Sequence, residues 1–129
     1  MGYKLIALDI DGTLLNSSNQ ITENVKEAIR KSKEKGVKVV LCTGRPLKGV
    51  ENFLDELNLK EEGDYVSTFN GALVQDAHTG KPISHLTLDY EDICDLYDLS
   101  VEVGSRSHFY DTRTVYTFNR DRSEEHTSE

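Results

Sequence analysis

Two carboxylates two residues apart open the chain's chemistry. Asp9 and Asp11 stand in the run Asp9-Ile10-Asp11-Gly12-Thr13-Leu14, directly after the apolar stretch Leu5-Ile6-Ala7-Leu8. Ligands of open α/β sheets gather outside the carboxyl ends of the strands. A carboxylate there can attack phosphorus and form an aspartyl-phosphate. It needs Mg²⁺ beside it, because two anions repel and the metal offsets that repulsion. Asp11 is placed to protonate the leaving oxygen and later to deprotonate water. Gly12 lets the backbone turn sharply without a Cβ clash, and Thr13 can hydrogen-bond to hold that turn. A calcium loop is the rival reading. It would need Gly and Glu at loop positions where Leu14 and Gln20 stand, so it is rejected. The plain reading is two acids that cap a helix or solvate a loop.

A second candidate, Cys42-Thr43-Gly44-Arg45-Pro46, follows another β-branched stretch. Thr43 offers a hydroxyl and an amide at a strand end, and Gly44 allows close backbone approach. A helix starting at Pro46 would aim free N–H groups and a positive dipole end at the same spot. That combination suits a phosphate. Taken alone, these residues also describe an ordinary strand-to-helix turn. One strand and one helix after the first motif, they become specific.

Those motifs need a scaffold. Tyr3 to Leu8 reads as a buried strand of the parallel-sheet kind. Residues 11–21 are a loop. Thr22 is an N-cap, Val25, Ala28 and Ile29 recur at helical spacing, and Gly36 takes the C′ position. Val37 to Cys42 is a second strand. Pro46 suits the first position of a helix, with Leu47, Val50, Phe53, Leu54 and Leu57 as its apolar stripe. Tyr65 to Phe69 is a third strand. The order strand–helix–strand–helix–strand predicts a parallel α/β sheet with right-handed crossovers. Asn70-Gly71 then signals a turn. Ala72 to Val74 and Ile83 to Leu88 form paired strands about the turn Asp76 to Gly80. A helix runs from about Asp89 to Gly104, with Ile93, Leu96, Tyr97 and Val101 inward. His108 to Tyr110 and Thr114 to Phe118 form a last hairpin. A domain boundary is expected near residues 82–89.

Composition limits the function classes. The 129 residues are 36% hydrophobic and carry a formal net charge of -8. That length suits one modest core, since domains commonly run about 100–150 residues. An acidic chain lacks the basic surface that sequence-blind binding to nucleic acid or to an anionic membrane requires. No apolar run approaches the roughly 20 residues of a membrane span. Asp9 and Asp11 interrupt any secretory signal. Cys42 and Cys94 make neither a disulfide framework nor a zinc site, so a cytoplasmic protein is expected. His78, His85 and His108 lack metal-ligand spacing.

Asp-x-Asp-Gly-Thr-Leu followed by a strand-terminal Thr-Gly-Arg-Pro resembles the haloacid dehalogenase (HAD) superfamily of phosphatases. Thr68-Phe69-Asn70-Gly71-Ala72 resembles its Cof-type subfamily, close to bacterial sugar-phosphate phosphatases. The resemblance runs from about residue 3 to residue 121, through Gly63-Asp64-Tyr65 and Val115 to Arg120. It implies a Rossmann-like α/β core with an α/β cap. It makes Asp9 the nucleophile and a Mg²⁺ ligand, and Asp11 the general acid/base that lends its backbone carbonyl to Mg²⁺. Thr43 and Gly44 would hold the phosphate. Asn70 would lie near the mouth of the site, or serve only as a type I′ turn residue. Arg45 would face the substrate or brace the loop.

The family pattern also calls for a Lys and a second acidic segment of the Gly-Asp-x-x-Asn-Asp kind, downstream of the cap. Lys48, Lys60 and Lys81 come too early, and no Lys follows residue 100. The resemblance therefore covers the first part of such an enzyme. It places the start of the core at residues 1–84 and the beginning of the cap at 85–121. Residues 122–129, Arg-Ser-Glu-Glu-His-Thr-Ser-Glu, contain no apolar residue and match one reading frame of a sequencing-library adapter. They are expected to be a non-native tail in which His126 has no role. The function expected is Mg²⁺-dependent hydrolysis of small phosphomonoesters, sugar phosphates first, with weak or no turnover by this chain. The alternatives are a non-catalytic phosphate- and Mg²⁺-binding α/β fragment and a phospho-acceptor module of the response-regulator kind. Asp-Gly-Thr after the first acid is not that module's pattern.

Overall fold

A computed structural model describes residues 2–117. Its first five strands form one sheet in the order β1-β2-β3-β4-β5: Leu5–Asp9, Lys38–Cys42, Tyr65–Thr68, Leu73–Asp76 and Pro82–His85. β1, β2 and β3 run parallel, and β4 and β5 return antiparallel. The expected α/β core with a parallel sheet is present, extended by an antiparallel pair into a mixed sheet. Helix α1 (Glu23–Glu34) connects β1 to β2, and the short α2 (Glu51–Glu56) connects β2 to β3.

Local chemistry explains these boundaries. The Thr22 hydroxyl accepts from Val25 N at 3.3 Å and caps α1. At its other end Gly36 N donates to Lys33 O and Val37 N to Ser32 O, the paired bonds of a Schellman ending. Gly36 takes the left-handed conformation that this ending needs, at φ 82°.

The helix after β2 departs from expectation. Pro46 stays extended (φ -69°, ψ 163°) and precedes a single 3₁₀ turn, Leu47–Gly49. α2 begins only at Glu51. Gly49 O accepts from the Arg45 guanidinium, and Phe53 N donates to Val50 O instead of closing a continuous helix. The dipole of a helix starting at Pro46 is therefore no part of the site. The apolar stripe survives, with Val50, Phe53, Leu54 and Leu57 all buried.

The core lies on one sheet face. Val39, Leu41, Val66, Thr68, Leu73 and Gln75 share that face by register and are buried. Successive right-handed crossovers in one direction place both connecting helices on the same side. The opposite face, with Leu5, Ala7, Val40 and Cys42, is exposed or half-buried. This corrects the reading of the first strand as buried. β1 starts at Leu5, which is 55% exposed, and pairs only with β2 among the described residues.

The chain divides into two units, residues 1–86 and 87–129. In the second, Asp89 caps α3 (Tyr90–Glu102) by accepting from Asp92 N at 3.0 Å. β6 (His108–Tyr110) and β7 (Val115–Thr117) form an antiparallel hairpin. The inward stripe expected on α3 is corrected. Leu96, Tyr97 and Val101 are exposed, and Ser100 is its buried residue. Two strands of three residues offer too little surface to cover a helix. Phe118, the rest of the expected cap start to residue 121, and the tail at 122–129 with His126 lie outside the described residues.

Candidate active site

Three consecutive loops at the carboxyl ends of β1, β2 and β3 are tied together by hydrogen bonds. The first loop is anchored at both ends. Ile10 (0% exposed) and Leu14 (4%) are sunk in the core, while Asp9, Asp11, Gly12 and Thr13 face outward. Leu15 N donates to Ile10 O at 3.1 Å and closes the turn. Gly12 sits at φ 80°, ψ 0°, where a side chain would be strained. The motif thus alternates anchor and chemistry, and the two buried aliphatics aim the two acids.

The second loop continues the sheet by one bond, Thr43 N to Ser67 O at 2.9 Å. Thr43 is only 5% exposed. Its hydroxyl oxygen accepts from Arg45 N at 3.0 Å, which leaves the hydroxyl proton as a donor. Register sets Asp9 beside Cys42, the residue before Thr43. The nucleophile candidate and the candidate phosphate loop therefore leave neighbouring strands at the same level.

The third loop is strained. Phe69 (φ 50°), Asn70 (φ 56°) and Gly71 (φ 91°) are all left-handed. Such a conformation costs a non-glycine residue about 1–3 kcal/mol and persists where the surroundings impose it. Here Asn70 N donates to Thr43 O at 2.9 Å and Phe69 N to Arg45 O at 3.3 Å. The strain carries the Asn70 amide over Gly44. A Cβ on Gly44 would lie 3.0 Å from Asn70 Oδ1 and 3.3 Å from Nδ2. Gly44 is thus the residue that makes room for the Asn70 side chain.

Arg45 leaves its own loop and crosses to the first. Its Nε and Nη2 donate to the two carboxylate oxygens of Asp11, at 3.2 and 2.5 Å. Its guanidinium carbon stands 5.8 Å from the centre of the Phe53 ring. Neither Phe53 nor Gly49 was expected at the site. Phe53 reads in the sequence as one more residue of a core stripe, and only the packing shows its second use.

Asp9 and the backbone carbonyl of Asp11 are hard oxygen donors of the kind Mg²⁺ takes, and such ions commonly keep several waters. Among the described residues no group of three or more His, Cys, Asp or Glu side chains could hold a metal ion by itself. The donors present fit part of a Mg²⁺ shell, and further ligands must complete it.

Burial pushes the Cys42 thiol up from its ordinary range, and the neighbouring Asp9 charge adds to the shift. Cys42 is thereby a reporter on Asp9. Neutralising Asp9 lowers the thiol pKa, so more thiolate exists at mildly alkaline pH and alkylation accelerates. We expect Asp9→Asn to speed Cys42 alkylation, by less than about tenfold because burial is the larger cause. Site-resolved mass spectrometry checks this, and an unchanged rate would separate Cys42 from the Asp9 field.

The sequence profile of the haloacid dehalogenase-like hydrolases matches residues 6–129. The chain belongs to that family. It is 57% identical over 122 residues to "Putative phosphatase YxeH" of Bacillus subtilis, covering 95% of this chain and 45% of that protein. It is 34% identical over 117 residues to "Phosphatase YwpJ" of the same organism, covering 88% and 39%. Among solved structures, a haloacid dehalogenase-like hydrolase from B. subtilis superposes with a TM-score of 0.77 at 31% identity, covering 93% of this chain and 41% of that one. The HAD subclass IIB sugar phosphatase BT4131 superposes with a TM-score of 0.76 at 26% identity, covering 93% and 45%. The chain thus spans less than half the length of these relatives. No helix among the described residues is long and apolar enough to cross a membrane.

Proposed function

We propose that this chain carries the nucleophile loop and the phosphate loop of a Mg²⁺-dependent phosphomonoester hydrolase. Its substrates are small phosphorylated metabolites, with sugar phosphates as first choice. One observation carries the reading: Asp9, at the end of β1, is in register with the strand end that presents Thr43 and Gly44. The family match and the printed name of the sugar phosphatase BT4131 support the substrate class.

The chemistry follows from the placement. The Thr43 hydroxyl, the Gly44 backbone and the Asn70 amide receive the phosphate. An Asp9 oxygen forms a bond to phosphorus as the ester P–O bond breaks, and Asp11 gives its proton to the departing oxygen. Asp11 then takes a proton from water, the water oxygen bonds to phosphorus, and inorganic phosphate leaves Asp9. Mg²⁺, held by Asp9 and the Asp11 carbonyl, would supply charge neutralisation at the phosphoryl group.

Residues 1–84 then form the start of the catalytic core and residues 85–121 the opening of a substrate-selecting cap, with 122–129 as a non-native tail. The family's Lys and second acidic segment are absent from the sequence, so turnover by the 129-residue chain is weak or nil. Two free cysteines suit a reducing, cytoplasmic setting.

The test uses the 129-residue chain. With Mg²⁺, inorganic phosphate is expected to shift the amide resonances of Thr43 and Gly44, while hydrolysis of an aryl phosphate stays near background. Silent amides would sink the phosphate site. Robust turnover abolished by Asp9→Asn would show that no further segment is required.

A further inference from the structure

We infer that Arg45 is a positioning residue for Asp11 and not a phosphate ligand: it holds the proton-transferring carboxylate in one orientation. This rests on the reading of Asp11 as general acid/base. The guanidinium meets the carboxylate fork to fork, Nε on Oδ2 and Nη2 on Oδ1. Its third nitrogen, Nη1, donates to Gly49 O at 3.4 Å. The buried Phe53 ring supports the guanidinium. The Arg45 backbone is fixed as well, its N–H on Thr43 Oγ1 and its carbonyl under Phe69 N.

Each guanidinium nitrogen thus makes one bond, and the Nε/Nη2 edge that would grip a phosphate side-on is spent on Asp11. The pair adds little to folding, because Arg45 and Asp11 remain 40% and 57% exposed. Its consequence is direction. Asp11 stands on an outward loop between Ile10 and Gly12, and Arg45, 34 residues on, restricts where its carboxylate faces.

The pair is tested in the 129-residue chain by nuclear magnetic resonance of the Arg45 Nε–H group. Asp11→Asn is expected to move that resonance and to speed its exchange with water. Inorganic phosphate with Mg²⁺ is expected to move the Thr43 and Gly44 amides and leave the Arg45 group in place. An Arg45 group indifferent to Asp11→Asn, or one that follows phosphate, overturns the proposal. Silent amides count against the phosphatase reading alone, and the Asp11→Asn comparison still decides the pair.

Discussion

Asp9→Asn is expected to abolish formation of an acyl-phosphate mimic on this chain, as the proposed nucleophile role requires. The amide has the shape of the carboxylate but no charge and no nucleophilic oxygen at neutral pH. Asp9 is exposed at the end of β1, so the fold should change by less than about 0.5 kcal/mol. Beryllofluoride with Mg²⁺ offers a readout independent of turnover. The unaltered chain should give a bound ¹⁹F signal and the variant none. An adduct that survives in the variant would place the nucleophile elsewhere.

Leu41→Ala is expected to cost about 2–5 kcal/mol, the range for emptying a fully packed leucine site. Leu41 is 0% exposed and lies in register between Leu8 on β1 and Val66 on β3, two residues before Thr43. Domains have only about 5–15 kcal/mol in hand, so this loss removes a large share of the first unit's stability. The phosphate response of Thr43 and Gly44 should then vanish at lower urea than in the unaltered chain. Val40→Ala, on the half-buried opposite face, should cost less than about 1 kcal/mol. Urea unfolding followed by far-ultraviolet circular dichroism separates the two. Equal costs would mean that both sheet faces are packed alike.

The boundaries with local causes were legible in the sequence. Thr22 caps α1 because a hydroxyl reaches an amide three residues away. Gly36 ends it because only glycine takes φ 82° without strain. Asp89 caps α3 in the same way as Thr22 caps α1. The helix expected from Pro46 starts late: Pro46 stays extended, Gly49 O accepts from the Arg45 guanidinium, and α2 begins only at Glu51. The burial of Tyr3 to Leu8 and the inward stripe of α3 failed for a common reason. Apolar pattern shows which residues want cover, and only the assembled sheet and hairpin show whether cover is there.

The site divides along the same line. By itself the sequence determined the chemistry available: two carboxylates two residues apart, a glycine that permits their turn, and a Thr-Gly pair at a second strand end. Those are effects of spacing within a few residues, set by covalent geometry. The tertiary structure decided how they are used. Parallel pairing brought Asp9 level with Cys42. Backbone bonds to Thr43 and Arg45 forced Phe69 and Asn70 into the left-handed region. The guanidinium of Arg45 went to Asp11 because Phe53 and Gly49 hold it there. Contacts between residues so far apart in the chain depend on how the strands stack and the loops meet, and no local preference encodes them.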